Sequence, residues 1–219
     1  MNVNYSIYSE NIRSKFFIMS SIIKLRGKGV SRIINSKVML SPLAGVTDKI
    51  FRKLVRKWAP ESLLFTEMIN ATSLKHGYGT QKIKQLELEK GPVGVQIFDN
   101  RPFAVSEAAK LAEDSGAFLI DINMGCPVKK ISRKGGGSAL INDRLLAIEL
   151  VKRASNAVKV PVTVKTRLGW ENKEENIEEF LLSLQDAGAE MITLHGRTRK
   201  EGFSGKADWE MIGKIKDLL

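Results

Sequence analysis

Residues 93–125, VGVQIFDNRPFAVSEAAKLAEDSGAFLIDINMG, hold two apolar runs around one helical segment, and their order decides the fold. VGVQIFD (93–99) and FLIDINMG (118–125) are nearly continuous apolar runs, the pattern of parallel strands covered on both faces. Between them, residues 103–115 follow Asn100 and Pro102 and stop at Gly116, the punctuation of a helix. Strand, helix and strand in that order form a right-handed parallel crossover.

The same rhythm runs from Val38 to the end of the chain. Further strands are expected in VMLSPLAG at 38, LLFTEM at 63, VPVTVKTRLG at 160 and EMITLHGRT at 190. One helix is expected after Thr47 as N-cap, with Ile50, Phe51, Leu54, Val55 and Trp58 as its apolar stripe and Arg52, Lys53, Arg56 and Lys57 mostly opposite. Others are expected at 142–158 and near 174–187, where Gly188 follows, and from Asp208 onward with Trp209, Ile212 and Ile215. Alternating strands and helices mean an α/β fold, either a doubly wound sheet or a barrel of the TIM (β/α)8 type. Six β-α units can be counted, and a barrel of about 250 residues needs eight.

Composition sets the class of partner. Lys and Arg number 35 against 24 Asp and Glu, a formal charge of +11, which points to a polyanion such as nucleic acid. Residues 1–37 carry Arg13, Lys15, Lys24, Arg26, Lys28, Arg32 and Lys37 against Glu10 alone, and read as a basic N-terminal extension to a unit at 38–219. That extension is either a solubilising tail or an RNA-contacting arm, and Met19 offers a second start. A single cysteine makes no intramolecular disulfide, and no Cys/His spacing for structural zinc occurs, so no metal is expected and a reducing cytoplasm fits. No apolar run nears the roughly 20 residues of a membrane-spanning helix, and the start does not read as a signal peptide.

In either α/β architecture, ligands bind at the carboxyl ends of the strands. Polar residues gather there: Ser41 beside PLAG, Thr66 and Glu67, Gln96, Asn123 with Cys126, Lys165 with Arg167, and His195 with Arg197. They suit a flat, polar, phosphorylated heterocycle. Gln96 and Asn123 can meet a ring edge, Lys165 can favour electron density on a reduced ring, and His195 can donate to an oxygen. Structural alternatives stand beside these roles: a strand-end salt bridge for Lys165, an ordinary hydrogen bond for His195, and pairing with an arginine for Glu67. Cys126 lies between Gly125 and Pro127 on a loop at this face, where a protonated thiol could supply a proton to a carbanion. Beyond it come Lys129, Lys130, Arg133 and Lys134, then Gly135, Gly136 and Gly137, which form either a phosphate-binding turn or a plain loop.

At these residues the chain resembles the tRNA-dihydrouridine synthases, most of all the bacterial B-type branch. The motifs LSPLAGVTD, GVQIFD, DINMGCPVKK, KGGGSAL, VPVTVKTRLGW and TLHGRTR follow in family order over about four fifths of the chain. The resemblance implies an FMN-dependent TIM barrel that reduces the C5=C6 bond of uridine in tRNA, with NADPH as reductant. It implies that Pro42, Leu43 and Ala44 lie along the flavin, that Gln96, Asn123, Lys165 and His195 bind it, and that Cys126 protonates C5. It also implies two further β-α units that hold the FMN phosphate and a helical domain that grips tRNA. Lys129, Lys130, Arg133, Lys134 and Arg199 are the expected RNA contacts. Two other readings compete: a flavin reductase of free pyrimidines resembling dihydroorotate dehydrogenase, and a non-catalytic RNA-binding remnant.

Overall fold

The computed structural model of the chain describes residues 22–84, 86–173 and 176–219. It opens on a hairpin of β1 (Ile23–Arg26) and β2 (Ser31–Ile34), with Ile23 opposite Ile34 and Arg26 opposite Ser31. Leu25 and Ile34 are buried in a cluster with Leu63, Phe65 and Leu119. Part of the basic extension therefore belongs to the folded body: alternate apolar side chains on four-residue strands are enough to seat it against the sheet. Arg13, Lys15 and Met19 lie outside the described residues.

Then follow β3 (Met39–Leu40), α1 (Lys49–Trp58), β4 (Leu63–Phe65), β5 (Ile69–Asn70), α2 (Ala71–Lys75), β6 (Val93–Phe98), α3 (Pro102–Asp114), β7 (Leu119–Met124) and α4 (Lys129–Ser132). The last elements are α5 (Arg144–Ala157), β8 (Val162–Arg167), α6 (Ile177–Asp186), β9 (Ala189–His195) and α7 (Trp209–Lys216). Every pairing in the main sheet is parallel, and its order is β3-β4-β6-β7-β8-β9, with β5 pairing farther along β6. Strands that neighbour one another in chain order wind in one direction. A doubly wound sheet would reverse its order at a switch point, so the architecture is a partial (β/α)8 barrel.

Period-two alternation sorts the side chains between two faces. Val95, Ile97, Ile120, Ile122, Val162 and Val164 pack into the main core with Ala104, Ala108 and Ala109 of α3, Leu150 and Val151 of α5, and Phe180, Leu181 and Leu184 of α6. The intervening Gln96, Asp121, Asn123, Thr163 and Lys165 take the opposite face. Asp143 and Asp208 cap α5 and α7, accepting from Leu146 N at 3.1 Å and Met211 N at 2.9 Å.

The first helix departs from the expectation. Its N-cap is Asp48, which accepts from Phe51 N at 2.8 Å; Thr47 is buried and instead exchanges hydrogen bonds with the Leu43 backbone at 3.1 Å. Ile50, Leu54 and Trp58 are exposed, whereas Arg52 is buried. Arg52 pairs with Glu89 and donates to Thr47 O at 2.7 Å. Arg56 donates to Ser62 O at 2.6 Å and to Pro92 O at 2.9 Å. The arginine face docks because loop carbonyls and one carboxylate satisfy it.

Candidate functional site

Strand register brings the expected residues into rows. Gln96 lies opposite Asp121, Asp121 opposite Thr163, Asn123 opposite Lys165, Lys165 opposite Thr193, and Arg167 opposite His195. Below these rows, the hairpin cluster with Leu63, Phe65 and Leu119 fills the amino-terminal end with apolar groups. Gly94 makes room for it, since a Cβ there would meet Leu119 and Phe65 carbons at 2.8 Å.

A directed chain of hydrogen bonds crosses the middle row. Thr163 Oγ1 donates to Asp121 Oδ1 at 2.6 Å, Gln96 Nε2 donates to Asp121 Oδ2 at 2.6 Å, and Asn123 Nδ2 donates to Gln96 Oε1 at 2.9 Å. Asn123 Oδ1 in turn accepts from Gly125 N at 3.2 Å and Cys126 N at 2.9 Å. Burial holds the Asp121 carboxyl above its usual range, against the hydrogen bonds from Thr163 and Gln96 and the charge of Lys165. Asp121 and Thr163 were not among the expected site residues. The signal was available in DINMG, where Asp121 shares a strand face with Asn123 two residues on.

Cys126 is half-buried and free, on a loop fixed from several sides. Its carbonyl accepts from Ser138 N at 3.1 Å and Ser138 Oγ at 2.9 Å. Gly137 has φ of 59°, and a Cβ there would stand 2.9 Å from Cys126 O. The glycine run therefore packs under the cysteine loop, and Gly136 and Gly137 are buried. From the next strand, Arg167 Nε donates to Gly125 O at 2.7 Å, and its Nη1 donates to Thr198 O at 2.9 Å and Gly202 O at 3.0 Å. One guanidinium thus ties the cysteine loop to the loop after β9.

Lys165 is mostly enclosed, and burial lowers its ammonium below the usual range, with Asp121 opposing and Arg167 adding to the effect. No hydrogen-bond partner of its ammonium occurs among the described residues. His195 is pushed down to about 4 by burial and then by Arg167, Lys165 and Arg197. Its imidazole is consequently neutral at pH 7. The ring stands 6.4 Å from that of Phe203.

The remaining residues fall into two groups. Pro42, Leu43 and Ala44 form the turn after β3, where Leu43 and Ala44 are exposed. Gly45 N donates to Glu67 Oε1 at 2.7 Å, and Glu67 pairs at 3.0 Å with Lys82, a lysine in place of the expected arginine. The Gly45 hydrogen bond, then that of Lys82, holds the Glu67 carboxyl low against its partial burial. Elsewhere, Lys129, Arg133 and Arg199 converge on a cleft of about 240 Å³ that Ser132 and Trp170 complete. Lys130 and Lys134 are exposed on the same segment but do not line the cleft. Among the described residues there is no cluster of three or more His, Cys, Asp or Glu suited to a metal, and no helix long and apolar enough to cross a membrane.

Comparison with known proteins identifies relatives of the chain. A 50% identical relative over 189 residues is the Synechocystis sp. protein named "Probable tRNA-dihydrouridine synthase 1", with 86% of this chain and 53% of the relative covered. "Probable tRNA-dihydrouridine synthase" of Rickettsia bellii is 39% identical over 85% of this chain and 57% of its own length. "tRNA-dihydrouridine synthase B" of Vibrio parahaemolyticus is 35% identical over 85% of this chain and 58% of its own. The chain thus spans just over half the length of these relatives. Residues 39–219 match the model of the family described as Dihydrouridine synthase (Dus), and the chain belongs to that family.

Proposed function

We propose that this chain carries the catalytic face of a tRNA-dihydrouridine synthase, which reduces the C5=C6 bond of uridine in tRNA with FMN as cofactor and NADPH as reductant. One observation carries the reading: a mostly enclosed lysine ammonium without a hydrogen-bond partner among the described residues stands opposite Asn123, whose side chain holds the free Cys126 loop. The names of the relatives supply the substrate.

The donor set fits a flavin. Lys165 has donors to spare for the carbonyl and nitrogen edge of the ring, the Gln96 amide has a second N–H, and His195 offers a neutral imidazole. The turn at Pro42, Leu43 and Ala44 would lie beside the ring. Flavin mononucleotide, when bound, supplies the hydride, with NADPH as the source of the electrons. The chain supplies the rest. Cys126 gives its thiol proton to C5 as C6 gains hydride, so the double bond becomes CH2–CH2, and the thiolate regains a proton from water. Asn123 and Arg167 keep the Cys126 loop in place, and Lys129, Lys130, Arg133, Lys134 and Arg199 hold RNA phosphates around the extruded base.

Cys126→Ala tests the assignment. It is expected to keep the visible spectrum of bound flavin and to lose at least 100-fold of dihydrouridine formation. Unchanged turnover would remove Cys126 from the chemistry. Failure of the parent chain both to bind flavin and to reduce tRNA would overturn the reading for this chain.

A further inference from the structure

The cleft lined by Lys129, Ser132, Arg133, Trp170 and Arg199 has a composition that phosphate attraction alone does not require. The Arg199 guanidinium lies over the Trp170 ring, 4.5 Å from its centroid. Its Nε is buried without a hydrogen-bond partner among the described residues. The backbone sets this stack, since Arg199 N donates to Gly169 O at 2.8 Å and Lys200 N to Trp170 O at 2.9 Å. The loops after β8 and β9 are thereby clipped together, which fixes the guanidinium and the indole in one layer. A guanidinium that stacks on an aromatic ring presents a flat cationic plane, a surface on which a nucleobase packs. Lys129 opens α4 and Arg133 caps its end, beyond Cys126, and both offer donors to a phosphate.

We infer that this cleft is a subsite for one nucleotide flanking the target uridine, with its base stacked on the Arg199–Trp170 layer and its phosphate held by Lys129 and Arg133. The inference rests on the tRNA reading above. Position and size favour an RNA nucleotide. Lys129 is three residues from Cys126, so their Cα atoms are at most about 11 Å apart and the cleft lies within one nucleotide step or two of the loop at which the target base would react. Its volume of about 240 Å³ is below the roughly 300–1,000 Å³ of sites that enclose a whole small molecule. It accommodates part of a polymer rather than an entire pyridine dinucleotide. Lys130 and Lys134 extend the charge along the exposed side of the same segment, where neighbouring phosphates would run.

The experiment measures binding of an unmodified tRNA transcript and of NADPH to the 219-residue chain and to Arg199→Lys, Trp170→Leu and Arg133→Gln, over a range of salt. Circular dichroism verifies that each variant is folded. Arg199→Lys keeps the charge and loses the plane, so it should weaken tRNA binding about ten-fold with an unaltered salt slope. Trp170→Leu should weaken it similarly. Arg133→Gln should weaken binding and lower the salt slope by about one. If Arg199→Lys and Trp170→Leu both bind tRNA as the parent does, the stacking subsite is wrong while the tRNA reading stands. If they weaken NADPH and spare tRNA, the cleft serves the reductant and the inference is overturned. Absence of tRNA binding by the parent chain at low salt would overturn both this inference and the reading beneath it.

Discussion

The Cys126 loop sets the polarity of the row behind it. The backbone N–H groups of Gly125 and Cys126 only donate, so Asn123 must turn Oδ1 toward them, which directs its Nδ2 to Gln96 Oε1 and leaves the Gln96 NH2 for Asp121. The amide orientations therefore follow from two backbone donors. His195 ends the opposite side of the site, and its environment yields a pH prediction. Its folded value of about 4 lies below the ordinary 6.5, so the unfolded chain binds a proton there more readily than the folded one. The resulting stability is fully present above pH 6.5 and is lost as pH falls from 6.5 through about 4. The imidazole resonances of His195 should titrate near 4, and His195→Gln should shrink the fall in thermal midpoint across that window. A titration near 6.5 would mean that the ring is hydrated and free of the three neighbouring cations.

At the level of elements, α1 shows where sequence pattern and packing part company. Its stripe of Ile50, Leu54 and Trp58 looks like a core face, but Arg52 and Arg56 are the residues that dock. Arg52→Ala should cost about 3 kcal/mol in urea unfolding, because it leaves Glu89 and the Thr47 carbonyl without their partner. Ile50→Lys should change stability by less than about 0.5 kcal/mol. Near-equal costs would contradict this packing. Long runs such as 93–98, 119–124 and 162–167 were legible because each pairs a nearly continuous apolar run with a bounding glycine or proline. The hairpin β1–β2 was not, since four-residue strands among lysines and arginines resemble a basic tail until Leu25 and Ile34 find Leu63 and Leu119. Of the site, Gln96, Asn123, Cys126, Lys165 and His195 could be read from their strand-end positions. The role of the glycine run could not, because a buried turn under Cys126 and an open anion-binding loop share one composition.

At the scale of the whole molecule, the sheet formed by the described residues has an edge at β3 and another at β9. Eight strands close a barrel by pairing its first and last members, and six in sequence leave those two edges apart. The solvation of the outer elements follows from this. Every residue of β9 after Ala189 is only partly buried although the strand reads AEMITLH, and the exposed set also includes Ile50, Trp58, Phe203 and Trp209. Apolar surface that is contiguous on one helix and adjacent to open strand edges binds hydrophobic dyes and promotes association. The 219-residue chain is therefore expected to enhance 1-anilinonaphthalene-8-sulfonate fluorescence strongly at a salt concentration that screens its +11 charge. Replacing Ile50, Leu54 and Trp58 together with Glu should lower that fluorescence several-fold while the far-ultraviolet circular dichroism is kept, because the three side chains support no core. Weak dye binding by the parent chain would mean that the α1 face and the two edges are covered in solution. Loss of secondary structure in the triple variant would instead assign the stripe a packing role that its exposures of 80%, 52% and 86% do not support.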